Sequence, residues 1–223
     1  MKIIINIFVL LVPFWPLKLF ILRSFYGYVI HKDAWIGFAY CFPDSLEMAS
    51  GASVGHLTVV KRLDCLALGN HATIGRLNWV SGYSTKNYRN SYSHIPSRRS
   101  ALLLDQHAAI THRHIIDCTD TVRIGEFSTV AGYNSQILTH TIDVAFSRQT
   151  ASPITIGKYC FVGTSSLILH GAGIPDFTLI GAGSIVTKKL SKSYSLYAGA
   201  PARFLKSLDP NLPYFARLTG YVV

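Results

Sequence analysis

Nine histidines are set in a chain of 223 residues, and three of them stand where their chemistry could matter. His140 lies in Gln136-Ile-Leu-Thr-His-Thr-Ile-Asp143, at the point where a regular sequence pattern stops. An imidazole with a solution pKa of about 6.5 can take the proton of an attacking hydroxyl, so His140 is a candidate general base. His112 and His114 stand in Thr-His-Arg-His and, with His140, could be imagined as three zinc ligands. Asp117 follows closely and could orient a base. The four cysteines, Cys41, Cys65, Cys118 and Cys160, form no C-x-x-C pair, so neither a zinc knuckle nor a redox motif is indicated. They read as small buried residues in a reducing compartment.

The pattern that positions these residues has a period of six. Ile156, Val162, Ile168, Ile174, Ile180 and Val186 follow one another at that spacing without a slip. Four positions after each of the first five come Cys160, Ser166, Ala172, Thr178 and Ser184, all small. A helix demands recurrence near 3.6 residues and a half-buried strand a plain alternation, so the pattern describes short strands joined by tight corners. The same grammar appears in Ile36-Gly37, Met48-Ala49, Val54-Gly55, Leu68-Gly69, Ile74-Gly75, Ile124-Gly125 and Val130-Ala131. Glycine after the aliphatic residue is expected to allow corner conformations closed to other side chains. The repeat covers most of residues 30 to 190 and makes a solenoid of stacked coils, interrupted by the basic stretch 83 to 100 and by 141 to 153.

From Ile156 onward the chain resembles the hexapeptide-repeat acyltransferases. The resemblance rests on Ile-Thr-Ile-Gly-Lys-Tyr-Cys-Phe-Val-Gly-Thr, on Ile180-Gly-Ala-Gly-Ser-Ile-Val-Thr-Lys188 and on Tyr197-Ala-Gly-Ala-Pro-Ala-Arg203. It departs at His170, where proline is usual, and at Ile174-Pro175, where Ile-Gly is common. The resemblance implies an all-β fold, a left-handed parallel β-helix with three hexapeptides per coil, an exception to right-handed crossover. It also implies a homotrimer with acetyl-CoA in the cleft between neighbouring prisms and an acceptor hydroxyl or amine beside it, a sugar hydroxyl being the leading expectation. Sugar-acetylating members carry their catalytic histidine in the place of His140, which would activate a hydroxyl for direct attack on the thioester. The cofactor-binding positions carry over to Phe161, Gly163 and Thr164 in one coil and to Ala182, Gly183, Thr187 and Lys188 in a later one. Arg203, with Lys206 beside it, would meet the phosphates. No metal is expected.

Counting Ile110, Ile116, Ile124, Val130 and Ile137 as successive repeats puts the corner after 116 under the corner after 137. Asp117 to Asp120 are then expected near His140, with Asp117 outward, placed either to orient His140 or to hold an acceptor hydroxyl. By the same count Asn134 stacks on His114, as a buried hydrogen-bonded pair or as part of the acceptor site.

With 49% apolar residues the chain is not disordered, and its 14% of charged residues is well below the usual figure of about 25%. The formal charge of +10 suits anionic partners such as phosphorylated cofactors, nucleic acid or an acidic membrane face. No nucleic-acid recognition motif accompanies the basic stretch at 86 to 99, so no such partner is expected. Three regions are expected: an apolar helical segment over 1–28, the β-helix over 29–206 and a tail over 207–223. Pro13 and Pro16 interrupt the first, which reads as an interfacial anchor with Lys18 and Arg23 at lipid headgroups, or as a cap on the core. The expected setting is cytoplasmic, peripheral at the inner face of the membrane, in surface polysaccharide or lipopolysaccharide assembly. Transfer to serine or an antibiotic, a zinc hydratase and a non-catalytic scaffold are the alternatives.

Overall fold

The structure is a computed structural model that describes residues 2–86, 91–220 and 222. The six-residue spacing folds as a left-handed parallel β-helix. Its strands stack into three parallel faces. The first face holds Val29–Ile30, Ser45–Met48, Cys65–Leu68, Ala101–Leu104, Val122–Ile124, Ile154–Ile156 and Gly173–Ile174. The second runs from Trp35–Ile36 to Ser195–Ala198 and is closed by an antiparallel strand, Arg203–Ser207. The third runs from Tyr40–Phe42 to Ile185–Val186 and includes Ile115–Asp117, Gln136–Leu138 and Leu167–Leu169.

Each face stacks like on like. Ile124 pairs with Ile156 and Ile156 with Ile174; Val130 pairs with Val162 and Val162 with Ile180; Ile137 pairs with Ile168 and Ile168 with Val186. All of these aliphatics are buried, as are the small residues Cys160, Ser166, Ala172, Thr178 and Ser184 where the chain turns. Burial of a branched aliphatic stabilises by about 1.5–3 kcal/mol, so the repeat itself is the core. All four cysteines are buried and unpaired.

The corner chemistry differs from the sequence expectation. The left-handed corner positions are filled mostly by other residues, among them Leu57, His71, Leu77, His107, Arg113, Phe127 and Asn134. The glycines that follow an aliphatic residue serve close approach between coils instead: a Cβ on Gly163 would lie 2.6 Å from the Ala182 nitrogen. Gly183, at φ +67°, is the kind of glycine the sequence rule describes.

The ends are covered by the termini. Helix α1 (Lys2–Leu11) and helix α2 (Trp15–Tyr26) fold over the first coil, and Leu22 and Val9 join the core. Lys18 is buried, not at headgroups, whereas Arg23 is exposed. The buried Lys18 Nζ donates to the Gly37 carbonyl at 2.7 Å, and Arg23 Nε donates to the Ile30 carbonyl at 2.9 Å. The first coil has no coil beneath it to take these carbonyls, and the two cations satisfy them. Burial lowers the Lys18 pKa to about 8. Among the described residues no helix is long and apolar enough to cross a membrane.

Candidate active site

His140 opens a hairpin, His140–Asp143 against Arg148–Ala151, that leaves the prism at the edge between the third and first faces. Asp117 ends the strand one coil below, where Asp117 pairs with Leu138. This register brings the two side chains together: His140 Nδ1 lies 2.8 Å from Asp117 Oδ2. The carboxylate is held from several directions. Its Oδ2 accepts the Thr139 hydroxyl at 2.7 Å and the backbone N–H groups of Thr139 and His140 at 3.0 and 3.2 Å. Its Oδ1 accepts the Thr119 hydroxyl at 2.6 Å and the Thr119 N–H at 3.2 Å.

Burial alone would push the Asp117 pKa up, but the hydrogen bonds from His140, Thr119 and Thr139 outweigh it, and the carboxyl is held below its usual value. The pKa of His140 is raised, first by the hydrogen bond to Asp117, against the opposing effect of burial. An ionised Asp117 fixes the Nδ1 proton and leaves Nε2 as the acceptor. The imidazole is 37% exposed and the carboxylate 12%, so the ring meets solvent while its partner is sheltered.

Residues 83–86 and 91–100 of the basic stretch lie beside it. Asp64 anchors that stretch, accepting the Ser84 hydroxyl at 2.7 Å and the N–H groups of Thr85 and Ser100 at 2.8 and 3.0 Å. The Arg98 guanidinium donates to the carbonyls of Tyr83 and Thr119 and lies 4.6 Å from the centre of the Tyr92 ring. Tyr83 meets His140 edge to face at 6.3 Å. Burial, then the Asp117 charge, raises the Tyr92 pKa and keeps the phenol neutral. Sequence reasoning did not single out Thr119, Thr139, Tyr92 or Arg98. Thr139 carried a signal: it lies one coil above Cys118, beside the aspartate.

The other expected site residues divide between edges. Phe161 lies exposed on the second face. Gly163, Thr164, Ala182 and Gly183 follow one another up the edge between the second and third faces, where Arg203 joins them opposite Ala198. Thr187 and Lys188 lie on the third face and its exit corner, in line with Leu138 and Thr139, on the edge of His140. A single chain does not bring the two edges together.

His114 and Asn134 require correction. The steps from Ile116 to Ile124, Val130 and Ile137 are eight, six and seven residues, so this coil takes 21 residues and His114 stacks on Ser135. His114 is 1% exposed; its Nδ1 accepts the Ser135 N–H at 3.1 Å and its Nε2 lies 2.9 Å from the Thr111 hydroxyl. Both ring nitrogens are used inside the coil, and burial, then His112, lowers its pKa to about 4. It is a neutral internal strut with nothing left for a ligand. Asn134 is an exposed left-handed corner at φ +61° and does not pair with it. Among the described residues no three His, Cys, Asp or Glu side chains are grouped to hold a metal ion.

The fold and this edge define a hexapeptide-repeat β-helix carrying a buried aspartate and a half-exposed histidine. No family model matches the sequence. A Staphylococcus aureus (strain COL) protein with a provisional acetyltransferase name is 37% identical over 65 residues, 29% of this chain and 32% of that protein. Galactoside O-acetyltransferase of Escherichia coli (strain K12) is 40% identical over 57 residues, 26% of this chain and 28% of the enzyme. The chain thus matches about a third of the length of these curated relatives. A solved Bacillus cereus N-acyltransferase, in complex with dTDP-4-amino-4,6-dideoxyglucose and coenzyme A, superposes with a TM-score of 0.53 at 15% identity, covering 82% of this chain and 84% of that one. Over these stretches the chain is similar to acetyltransferases, and its fold is that of a solved acyltransferase.

Proposed function

We propose that the protein is an acetyl-CoA-dependent O-acetyltransferase acting on a sugar hydroxyl, with His140 as general base. The observation that carries this reading is the 2.8 Å contact between His140 Nδ1 and a buried, ionised Asp117. Acetyl-CoA supplies an activated thioester. Nε2 of His140 takes the acceptor's hydroxyl proton as the oxygen attacks the acyl carbon. The C–S bond breaks, and the imidazolium returns the proton to the departing thiolate, giving an O-acetyl ester and a free thiol. Asp117 steadies the imidazolium between these steps, and such general-base assistance is worth about 10² to 10⁴ in rate.

The donor is assigned to the edge of Thr164, Ala182 and Gly183, with Arg203 at the phosphates. A Cβ on Gly183 would meet nothing within 4 Å, so its backbone is open to an amide-bearing arm. Because this edge and that of His140 are different edges of one prism, the reading calls for a homotrimer in which adjoining copies complete each site. Among curated relatives, a galactoside O-acetyltransferase supports the sugar acceptor. The exposed apolar side chains of α1 and α2, with Phe8, Phe14 and Phe20 exposed and Phe25 77% exposed, support a peripheral seat at the inner face of the membrane. Surface-polysaccharide or lipopolysaccharide assembly is the setting such a seat suits.

The test mixes purified protein, acetyl-CoA and a panel of glycosides and follows free thiol. Acceptor-dependent thiol release that His140→Ala abolishes is the expected result. Release equal in wild type and His140→Ala across the panel would overturn the assignment.

A further inference from the structure

On the edge between the second and third faces, below the donor positions, lies a cluster that the transfer chemistry leaves unused. Phe38, His56, Arg76 and His112 occupy equivalent places in successive coils, each two residues beyond a paired aliphatic, Ile36, Val54, Ile74 and Ile110. The extra residue between Val130 and Ile137 then pushes Tyr133 out over His112, with ring centres 6.1 Å apart. His56, Arg76, His112, Arg113 and Tyr133 line a cavity of about 540 Å³ together with the exposed Leu57 and Leu77.

The tautomers of both imidazoles follow from the backbone. His56 Nδ1 accepts the Phe38 N–H at 3.0 Å, and His112 Nδ1 accepts the Arg76 N–H at 3.1 Å. In each neutral ring the remaining proton therefore sits on Nε2, the nitrogen not turned toward the backbone. With two guanidinium groups beside them, the side chains of the wall offer donors, and among the described residues no carboxylate lines the cavity. Arg76 and Arg113 are both exposed, and no ion pair among the described residues engages either. Donors on the wall, beside exposed leucines and a tyrosine, suit a ring with an apolar face and an anionic substituent.

We propose that this cavity holds the anionic group, a carboxylate or a phosphate, of a charged sugar acceptor. The proposal rests on the O-acetyltransferase reading and names its substrate class. The height along the prism supports it. Tyr133 shares a coil with His140, and His112 shares one with Asp117. Copies related by rotation about an axis parallel to the prism keep each coil at one height, so the cavity of one copy lies level with the imidazole of the next. The cofactor's own phosphates are the other source of such an anion, but Arg203 sits at the far, carboxyl-terminal end of this edge.

The test titrates the full chain with methyl glucuronide, methyl glucoside, inorganic phosphate and coenzyme A, following the ring-proton NMR signals of His56 and His112. The expected result is that the glucuronide shifts both signals and binds at least about tenfold more tightly than the glucoside. That preference should collapse in Arg76→Gln/Arg113→Gln and return in Arg76→Lys/Arg113→Lys. Equal binding of glucuronide and glucoside by the wild type, which needs no variant to fold, would overturn the proposal. So would shifts produced by coenzyme A alone, which would make the cavity a cofactor subsite. Because binding is read without turnover, the result stands apart from thiol release: an anion preference without transfer would sink the transferase reading and leave the site.

Discussion

Two edges of the same prism, built from the same repeat, have opposite characters. On the edge between the first and second faces, His71, His107, Phe127, Tyr159, Phe177 and Tyr194 occupy left-handed corners of successive coils. Their rings stack with centres 4.5 to 5.5 Å apart and interplanar angles of 4° to 22°. Phe215 of the carboxyl-terminal tail closes on this ladder, edge-on to Phe177 and Tyr194. On the edge between the third and first faces, the ladder is replaced by carboxylates, threonines and two excursions of the chain. A register that always places like over like can build a stack of rings but not an unlike pair. The Asp117 and His140 pair exists because the repeat is interrupted at His140, where the hairpin leaves the prism and lets the imidazole turn toward the strand end one coil below.

If that division of labour is right, the two edges should fail differently. The largest effect is expected from His140→Ala, which should lower acetyl transfer by about 10² to 10⁴ while lowering Tm only modestly near neutral pH, as thiol release and calorimetry would show. Asp117→Asn comes next, with transfer lowered at least about tenfold because Nδ1 of His140 loses its fixed proton acceptor. On the ladder edge, Tyr159→Ala removes a ring stacked on both Phe127 and Phe177. Its stability should fall by about 1–2 kcal/mol in urea titration, with kcat/KM held. A loss of transfer without loss of stability there would erase the contrast.

A smaller effect concerns pH. Since the fold raises the pKa of His140, its link to Asp117 contributes in full below the ordinary imidazole value of 6.5 and fades as pH rises through the raised one. Since the fold lowers the pKa of Asp117, the carboxylate contributes above its ordinary 3.8 and fades as pH falls through the lowered value. His140→Ala should therefore reduce Tm more at about pH 5 than at about pH 9. An equal reduction at both would remove the ion pair from the account.

The core of this molecule was legible because it needs only residue type and spacing: each of the aliphatics six apart from Ile156 to Val186 is buried. The aromatic ladder was legible too, and went unread, as an aromatic residue or histidine three positions after Leu68, Leu104, Ile124, Ile156 and Ile174. Single-residue irregularities defeat such counting. The seven-residue step from Val130 to Ile137 moved Asn134 off His114 and set Ser135 there, and one residue of phase changes which side chain meets which. Lys18 and Arg23 show another limit: a cation beside an apolar run suits headgroups or bare carbonyls equally, and the open end of the first coil decides. Arg98 and Tyr92 reach the site through an irregular excursion whose path no periodicity describes.

The most direct test of the general-base claim is the pH dependence of kcat/KM for acetyl transfer, measured side by side for wild type and Asp117→Asn. The account predicts that wild-type activity rises with pH along a limb whose midpoint lies above the ordinary imidazole pKa of 6.5, and that the variant's limb moves to lower pH. A limb at the same pH in both proteins would contradict it.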